Sequence, residues 1–310
     1  MPIILALLVV QIIYASGVIV GKVMLPIVPA PVIVTMRMIV ATIAFFLAHR
    51  IIKGMGPRNV GDWARFALLG ILGGAGNQFL ILLGLTRTTA INTAILIPMI
   101  PIFTVIFGWL LRRDQPSALK WLGVAVAGAG TVYLIGPDRV SLEPGVALGN
   151  ILVLTGMAFN ALAFLLSKEM LQRYHPVTVA FCLSAAGLIG ILPFGLGAAD
   201  AVNQGALTTR LYWWLAYMVI FPTTVTYFLN LWSLRRASPT LVTSFIYLQP
   251  LFTTAVAPLV LEGEQLTARI AVAGAGIFVG VGIVIYAEWR RKARAPTTST
   301  VNGQRSTGPA

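Results

Sequence analysis

Arg37 is a charge set about six residues inside an apolar run, and its side chain is the one best placed here to do chemistry. A charge at that depth is costly in hydrocarbon and as a rule faces a bundle interior or a wet cavity. Its planar guanidinium can hold two oxygens of a carboxylate or phosphate at once. The depth also allows it to snorkel to the nearer interface, or to pair structurally. Lys22 either assists such an anion or anchors the end of the first apolar run. Uncharged polar groups are more numerous in the apolar runs: Gln11, Tyr14, Asn77, Gln78, Asn160, Tyr227, Asn230, Tyr247 and Gln249. An amide in hydrocarbon must find a partner, so it turns to a neighbouring helix or to water. The candidate substrate-binding set is Tyr14, Arg37, Asn77, Gln78, Met99, Asn160, Phe164, Tyr227, Tyr247 and Gln249. Phe79, Met99, Phe164 and Tyr227 suit the apolar part of a ligand. Pro98, Pro101, Pro222 and Pro250 fall inside apolar runs, where each removes a helical hydrogen bond. They act as gating hinges or as fixed kinks.

Other chemistries lack their residues. All nine acids lie in loops or near the ends of apolar runs, so a carboxylate proton relay at mid-depth is not expected. His49 and His175 also lie at run ends. The single cysteine, Cys182, allows neither an internal disulfide nor a Cys₄ metal site. No catalytic residue, metal or cofactor is expected, and an enzyme is not the reading.

The elements that must position these groups are membrane helices. The chain has 310 residues, 58% hydrophobic and only 10% charged. A spanning helix needs about 20 mostly apolar residues. Ten spans fit, near 3–22, 32–48, 64–84, 91–111, 118–136, 146–167, 177–197, 212–233, 240–261 and 268–288. The first has no basic leader and counts as a span, not a signal peptide. With the N-terminus cytoplasmic, only Lys22, Arg87, Arg139, Arg210 and Arg269 fall outside, against sixteen Lys and Arg inside. That asymmetry sets orientation, with both termini cytoplasmic in the cell inner membrane. The net charge of +13 therefore reflects topology, and no nucleic-acid partner is expected. Trp109, Trp121, Trp213, Trp214 and Trp289 fall near span ends, as an aromatic belt requires. Residues 290–310 open on basic residues and continue in Pro, Thr, Ser and Gly, which predicts a disordered cytoplasmic tail.

The spans divide into two sets of five. At an offset of 149, Leu85, Arg87, Pro101, Phe103 and Thr104 meet Leu234, Arg236, Pro250, Phe252 and Thr253. Asn77 and Gln78 meet Thr226 and Tyr227, and at 146 Tyr14 meets Asn160. An odd number of spans per copy forces the second copy to be inverted, the plan of many secondary transporters. The units are residues 1–137 and 138–289. The hexapeptide Ala-Val-Ala-Gly-Ala-Gly recurs at 125–130 and 271–276, an offset of 146, about a helical turn out of register.

This order of motifs resembles the ten-helix, EamA-type members of the drug/metabolite transporter superfamily. It is carried by Gly-Lys at 21–22, Pro-x5-Arg at 31–37 and Leu-Thr-Arg-Thr-Thr-Ala at 85–90. Pro-x-Phe-Thr at 101–104 and 250–253 and Glu262–Glu264 before a Gly-rich helix complete it. Asp114, where such a unit usually has Glu, and Cys182, opposite Arg37, depart from the pattern. The resemblance implies an all-α protein with a central cavity between helices one to four and six to nine. Helices five and ten would be peripheral. It also implies a small-molecule substrate, an amino acid or other small metabolite, usually exported. The expected function is a secondary transporter for an amino acid or related carboxylate. A broad exporter of apolar compounds, a phosphorylated-sugar or nucleotide-sugar exchanger and a non-transporting membrane protein are the alternatives. The lipid bilayer is the other partner, and a monomer or homodimer is expected.

Overall fold

The computed structural model describes residues 2–24, 26–85, 87–88, 96–113, 116–135, 144–203, 205, 208–252 and 268–294. Within them the chain is helical and no strand occurs. The helices are α1 Pro2–Met24, α2 Ala30–Ile51 and α3, which joins Val60–Gly70 to Asn77–Leu85 through a π-helical stretch, Ile71–Gly76. Next come α4 Met99–Leu110, α5 Ala118–Ile135, α6 Pro144–Arg173 and α7 Pro176–Gly197. α8 joins Thr209–Val219 to Thr226–Arg236 through a second π-helical stretch, Ile220–Val225. α9 starts at Pro239–Ser244, tightens to 3₁₀ at Phe245–Tyr247 and continues to residue 252. α10 is Ala268–Arg294. Six stretches are long and apolar enough to cross a membrane: Ala30–Ile51, Val60–Ile81, Val146–Arg173, Pro176–Gly197, Thr209–Arg236 and Ala271–Arg291. α1, α4 and α5 hold shorter apolar stretches.

Two sequence expectations change. The tail does not begin at residue 290, because α10 stays helical to Arg294. Arg, Lys and Ala are good helix formers, and cations at a helix C-terminus oppose the negative end of its dipole. Residues 295–310 lie outside the described set. Pro98 and Pro101 do not kink the interior of a helix. Residues 97–98 form a turn and α4 begins at Met99, so Pro101 sits in the first turn, where a missing N–H is tolerated. Asp114, Arg139, Thr253, Glu262 and Glu264 lie outside the described residues, as does the Lys22 side chain.

Packing brings distant segments together. α2 lies on α7, α4 on α9 and α5 on α10, while α1 meets α8 and α3 meets α6. The repeated hexapeptide explains the α5–α10 pair, because its two copies face each other. Gly130 lies against Ala273 and Ile277, and a Cβ added at Gly276 would stand 3.7 Å from Gly130 Cα. A Cβ added at Gly123, two turns earlier on α5, would come within 2.7 Å of Gly280 O. Small residues allow this approach, which driving forces in a bilayer favour. The register of the hexapeptide therefore follows a packing face.

α7 is started by His175, whose Nδ1 accepts the Val177 N–H at 3.3 Å. Partial burial, then the Arg235 and Arg236 charges, lower the His175 pKa below its ordinary 6.5. A group with a depressed histidine pKa binds fewer protons folded than unfolded, so acid below about pH 6.5 weakens the fold. The imidazolium can no longer accept the cap bond and puts a positive charge at a helix N-terminus. Acidification from about pH 7 to pH 5 is expected to lower the melting temperature of the wild type more than that of His175→Asn, whose amide caps at both pH values. Thermal melts of both proteins in detergent check this. Equal pH slopes refute it.

Candidate functional site

Most of the polar residues of the apolar runs border a central cavity whose two lobes share six lining residues. One lobe, of about 120 Å³, is walled by α1, α2, α3, α6, α7 and α8. The other, of about 250 Å³, is walled by α1 to α4, α6, α8 and α9. Tyr14, Arg37, Gln78, Asn160, Phe164 and Asn230 border both. Tyr227 and Pro222 border the first, and Asn77 and Gln249 the second.

Two irregular stretches aim these side chains. Each π-helical turn holds an extra residue, which rotates the helix face beyond it by about 100°. The α3 stretch immediately precedes Asn77 and Gln78, and the α8 stretch precedes Thr226 and Tyr227. Their starts, Ile71 and Ile220, are related by the offset of 149. In α8 the cause is Pro222, which has no N–H for Met218 O; Thr223 Oγ1 donates to that carbonyl instead, at 3.1 Å. In α3 the glycines allow it: a Cβ on Gly76 would lie 2.6 Å from Ile71 O. Pro250 has the parallel effect on α9, where the 3₁₀ turn at Phe245–Tyr247 precedes it and Ile246 borders the cavity.

Arg37 is half-buried and turned into the cavity, away from the interface. Its Nε donates to Thr223 Oγ1 at 2.6 Å and its Nη2 to Pro222 O at 3.3 Å. Among the described residues no carboxylate lies within 4 Å of it, since the ion pairs there are Arg113–Glu169, Lys120–Glu288, Arg173–Asp62 and Arg291–Glu288. Asn230 Nδ2 donates to Tyr14 Oη at 3.4 Å. Asn77 Nδ2 donates to Gly156 O at 2.7 Å, so Asn77 also ties α3 to α6. Asn160 Oδ1 and Gln11 Oε1 are buried acceptors without a donor among the described residues. The site can therefore offer one guanidinium, free amide oxygens and an apolar wall that includes Met38, Phe164 and Leu231.

Not every candidate reaches it. Tyr247 is fully buried but faces Gly128 of α5, 3.4 Å from a Cβ built there. Pro98, Met99 and Pro101 lie at the turn and first helical turn that open α4, and Pro250 lies beyond the 3₁₀ turn of α9, none of them bordering the cavity; Ile97, Ile100 and Ile246 do so instead. Sequence reasoning missed Met38, Ser167, Ser184 and Thr223 in the wall. Thr223 carried a signal, since it follows a proline in an apolar run.

At the end of the bundle that carries Arg50, Arg113 and Arg173, polar links tie the first five helices to the rest. Tyr174 Oη donates to Asp62 Oδ2 at 2.6 Å, and Arg173 lies 3.3 Å from the same carboxylate. Burial, then the Asp62 hydrogen bond, hold the Tyr174 phenol above its ordinary 10.0. Arg113 pairs with Glu169, and His49 Nδ1 lies 3.0 Å from Thr178 Oγ1.

The sequence matches the EamA-like transporter family over residues 1–136 and 147–286. The chain belongs to that family. An uncharacterized transporter of Archaeoglobus fulgidus is 26% identical over 204 residues, 65% of this chain and 69% of that protein. The uncharacterized transporter YetK of Bacillus subtilis is 24% identical over 220 residues, 70% of this chain and 67% of its own. One crystal structure shares the fold with a TM-score of 0.75 at 15% identity, covering 94% of this chain and 97% of the other. This EamA-like chain is thus a multi-pass membrane transporter with a small-molecule substrate and a lipid surround.

Proposed function

We propose that this EamA-like transporter is a secondary carrier that exports an amino acid or related small carboxylate across the cell inner membrane. The observation that carries the reading is Arg37: a guanidinium facing a cavity with an apolar wall, with neutral partners only among the described residues. Arginine in such a place attracts a carboxylate and leaves the wall for an apolar side chain. The lobes, of about 120 and 250 Å³, suit a compact ligand better than a nucleotide sugar, since sites for drug-sized molecules run to roughly 300–1,000 Å³.

The transport cycle is alternating access between two inverted five-helix halves, residues 1–137 and 138–289, spanning ten times with both termini inside. The paired π-helical stretches support it, as do the paired breaks ahead of Pro101 and Pro250. The contact pattern supports it too: exchanging the halves maps α1–α8 onto α6–α3 and each of α2–α7, α4–α9 and α5–α10 onto itself. The Asp62–Tyr174 and Arg113–Glu169 links lie at the basic, cytoplasmic end and hold it shut, with the proline-linked breaks as hinges.

A counterflow screen tests the substrate. Proteoliposomes are preloaded with single amino acids, sugar phosphates or nucleotide sugars, and exchange with the labelled compound outside is followed. Exchange is expected for amino acids with apolar side chains. Exchange confined to sugar phosphates or nucleotide sugars refutes the amino-acid reading.

A further inference from the structure

The contacts between α2 and α8 and between α7 and α3 are counterparts at the repeat offsets, and they are built differently. α7 meets the α3 π-helical stretch at a close glycine contact: a Cβ added at Gly74 would stand 3.2 Å from Gly187 Cα. α2 meets the α8 stretch through a polar contact, Arg37 Nε to Thr223 Oγ1 at 2.6 Å. Thr223 is the counterpart of Gly74 at an offset of 149, and Cys182 is the counterpart of Arg37 at 145. The two halves thus differ where one of them places a charge in the cavity.

Thr223 is well suited to hold that charge. It is 4% exposed, so its hydroxyl is out of water. The hydroxyl proton is committed to Met218 O at 3.1 Å, the carbonyl that Pro222 leaves without a donor. With its proton fixed there, the oxygen turns its lone pairs to Arg37 Nε. Pro222 O accepts from Nη2 at 3.3 Å and from Thr226 Oγ1 at 2.9 Å. One edge of the guanidinium is thereby fastened to α8, and Nη1 has no protein partner among the hydrogen bonds of the described residues.

We propose that Thr223 is a positioning residue for substrate recognition: its hydroxyl, oriented by Met218 O, holds Arg37 in the cavity with one donor edge turned to the substrate anion. The proposal rests on the carboxylate reading for its functional half. Its geometric half stands on the α2–α8 contact alone.

Two measurements test it. In protein labelled with nitrogen-15 arginine in lipid nanodiscs, a hydrogen-bonded Nε–H signal is expected that disappears in Arg37→Lys. That signal is expected to shift or broaden in Thr223→Val, which keeps the shape without the hydroxyl, and to stay in Thr223→Ser. This needs no substrate, and an unchanged signal in Thr223→Val overturns the proposal. In the second, uptake of labelled L-phenylalanine by proteoliposomes is followed. Thr223→Val is expected to raise KM about tenfold with the maximal rate within about twofold, the size of one charge-assisted hydrogen bond. Thr223→Ser is expected to restore the wild-type KM. A wild-type KM in Thr223→Val, with uptake lost in Arg37→Ala, overturns the positioning role and leaves the carboxylate reading standing. Wild-type uptake in Arg37→Ala overturns the carboxylate reading, and the nanodisc signal then decides the geometric half.

Discussion

Replacing Arg37 by alanine is expected to raise the KM for a transported amino acid by about 10- to 100-fold, the range for losing hydrogen bonds to a charged group. It should also change what is carried. The wild type, with a guanidinium among neutral partners, should prefer a free amino acid to its methyl ester. In Arg37→Ala the cavity is neutral and desolvating a carboxylate there has no compensation, so the preference should vanish or reverse. Arg37→Lys should fall between, since it keeps the charge but not the two-pronged geometry. Competition assays in proteoliposomes, comparing L-phenylalanine with its methyl ester, read this directly. An unchanged preference in Arg37→Ala removes the basis for an anion site.

The largest effect on stability is expected outside the cavity, at the buried pair of α5 and α10. Lys120 and Glu288 are 1% and 2% exposed, with Nζ 2.9 Å from Oε2. Ser238 joins them, donating to Glu288 Oε2 at 2.9 Å and accepting from Lys120 Nζ at 3.2 Å, while its Oγ caps α9. Arg291 reaches the other carboxylate oxygen at 2.8 Å. One cluster thus fastens the two peripheral helices to the start of a cavity helix. Lys120→Met leaves a buried carboxylate short of a partner and is expected to destabilise the protein by about 3–5 kcal/mol, as for other broken buried pairs. Changing both residues, Lys120→Met with Glu288→Met, should recover much of that loss, because neither charge is left uncompensated. Thermal melts of the single and double variants decide it. A double variant no more stable than the single one shows that the charges themselves stabilise the fold.

Several of these features were legible beforehand, and the reason differs for each. Arg37 could be found because a charge in an apolar run is conspicuous wherever it points. Its target could not, because depth leaves the rotation of the helix open. Tyr14, Asn77, Gln78 and Asn160 were found as polar groups in apolar runs and do meet around the cavity. Tyr247 was found by the same rule and faces α5 instead, because the 3₁₀ turn at Phe245–Tyr247 changes the face it occupies. The Lys120–Glu288 pair escaped, since each residue near a run end passes for an interfacial anchor until packing joins them. The repeated hexapeptide, about a turn out of register with the other matches, is a contact surface between α5 and α10.

By itself the sequence determined that this is a membrane-embedded helical protein, which runs are apolar enough to lie in the bilayer, and that its acids belong in loops or near the ends of those runs. Those are properties of composition along the chain, and hydrocarbon enforces them on each segment separately. Only the tertiary structure decided which side chains share a cavity, where Arg37 points and which buried charges pair. These depend on the rotation of each helix about its axis. That rotation is set by the π-helical and 3₁₀ turns and by close contacts between helices far apart in the chain, neither of which a hydropathy pattern records.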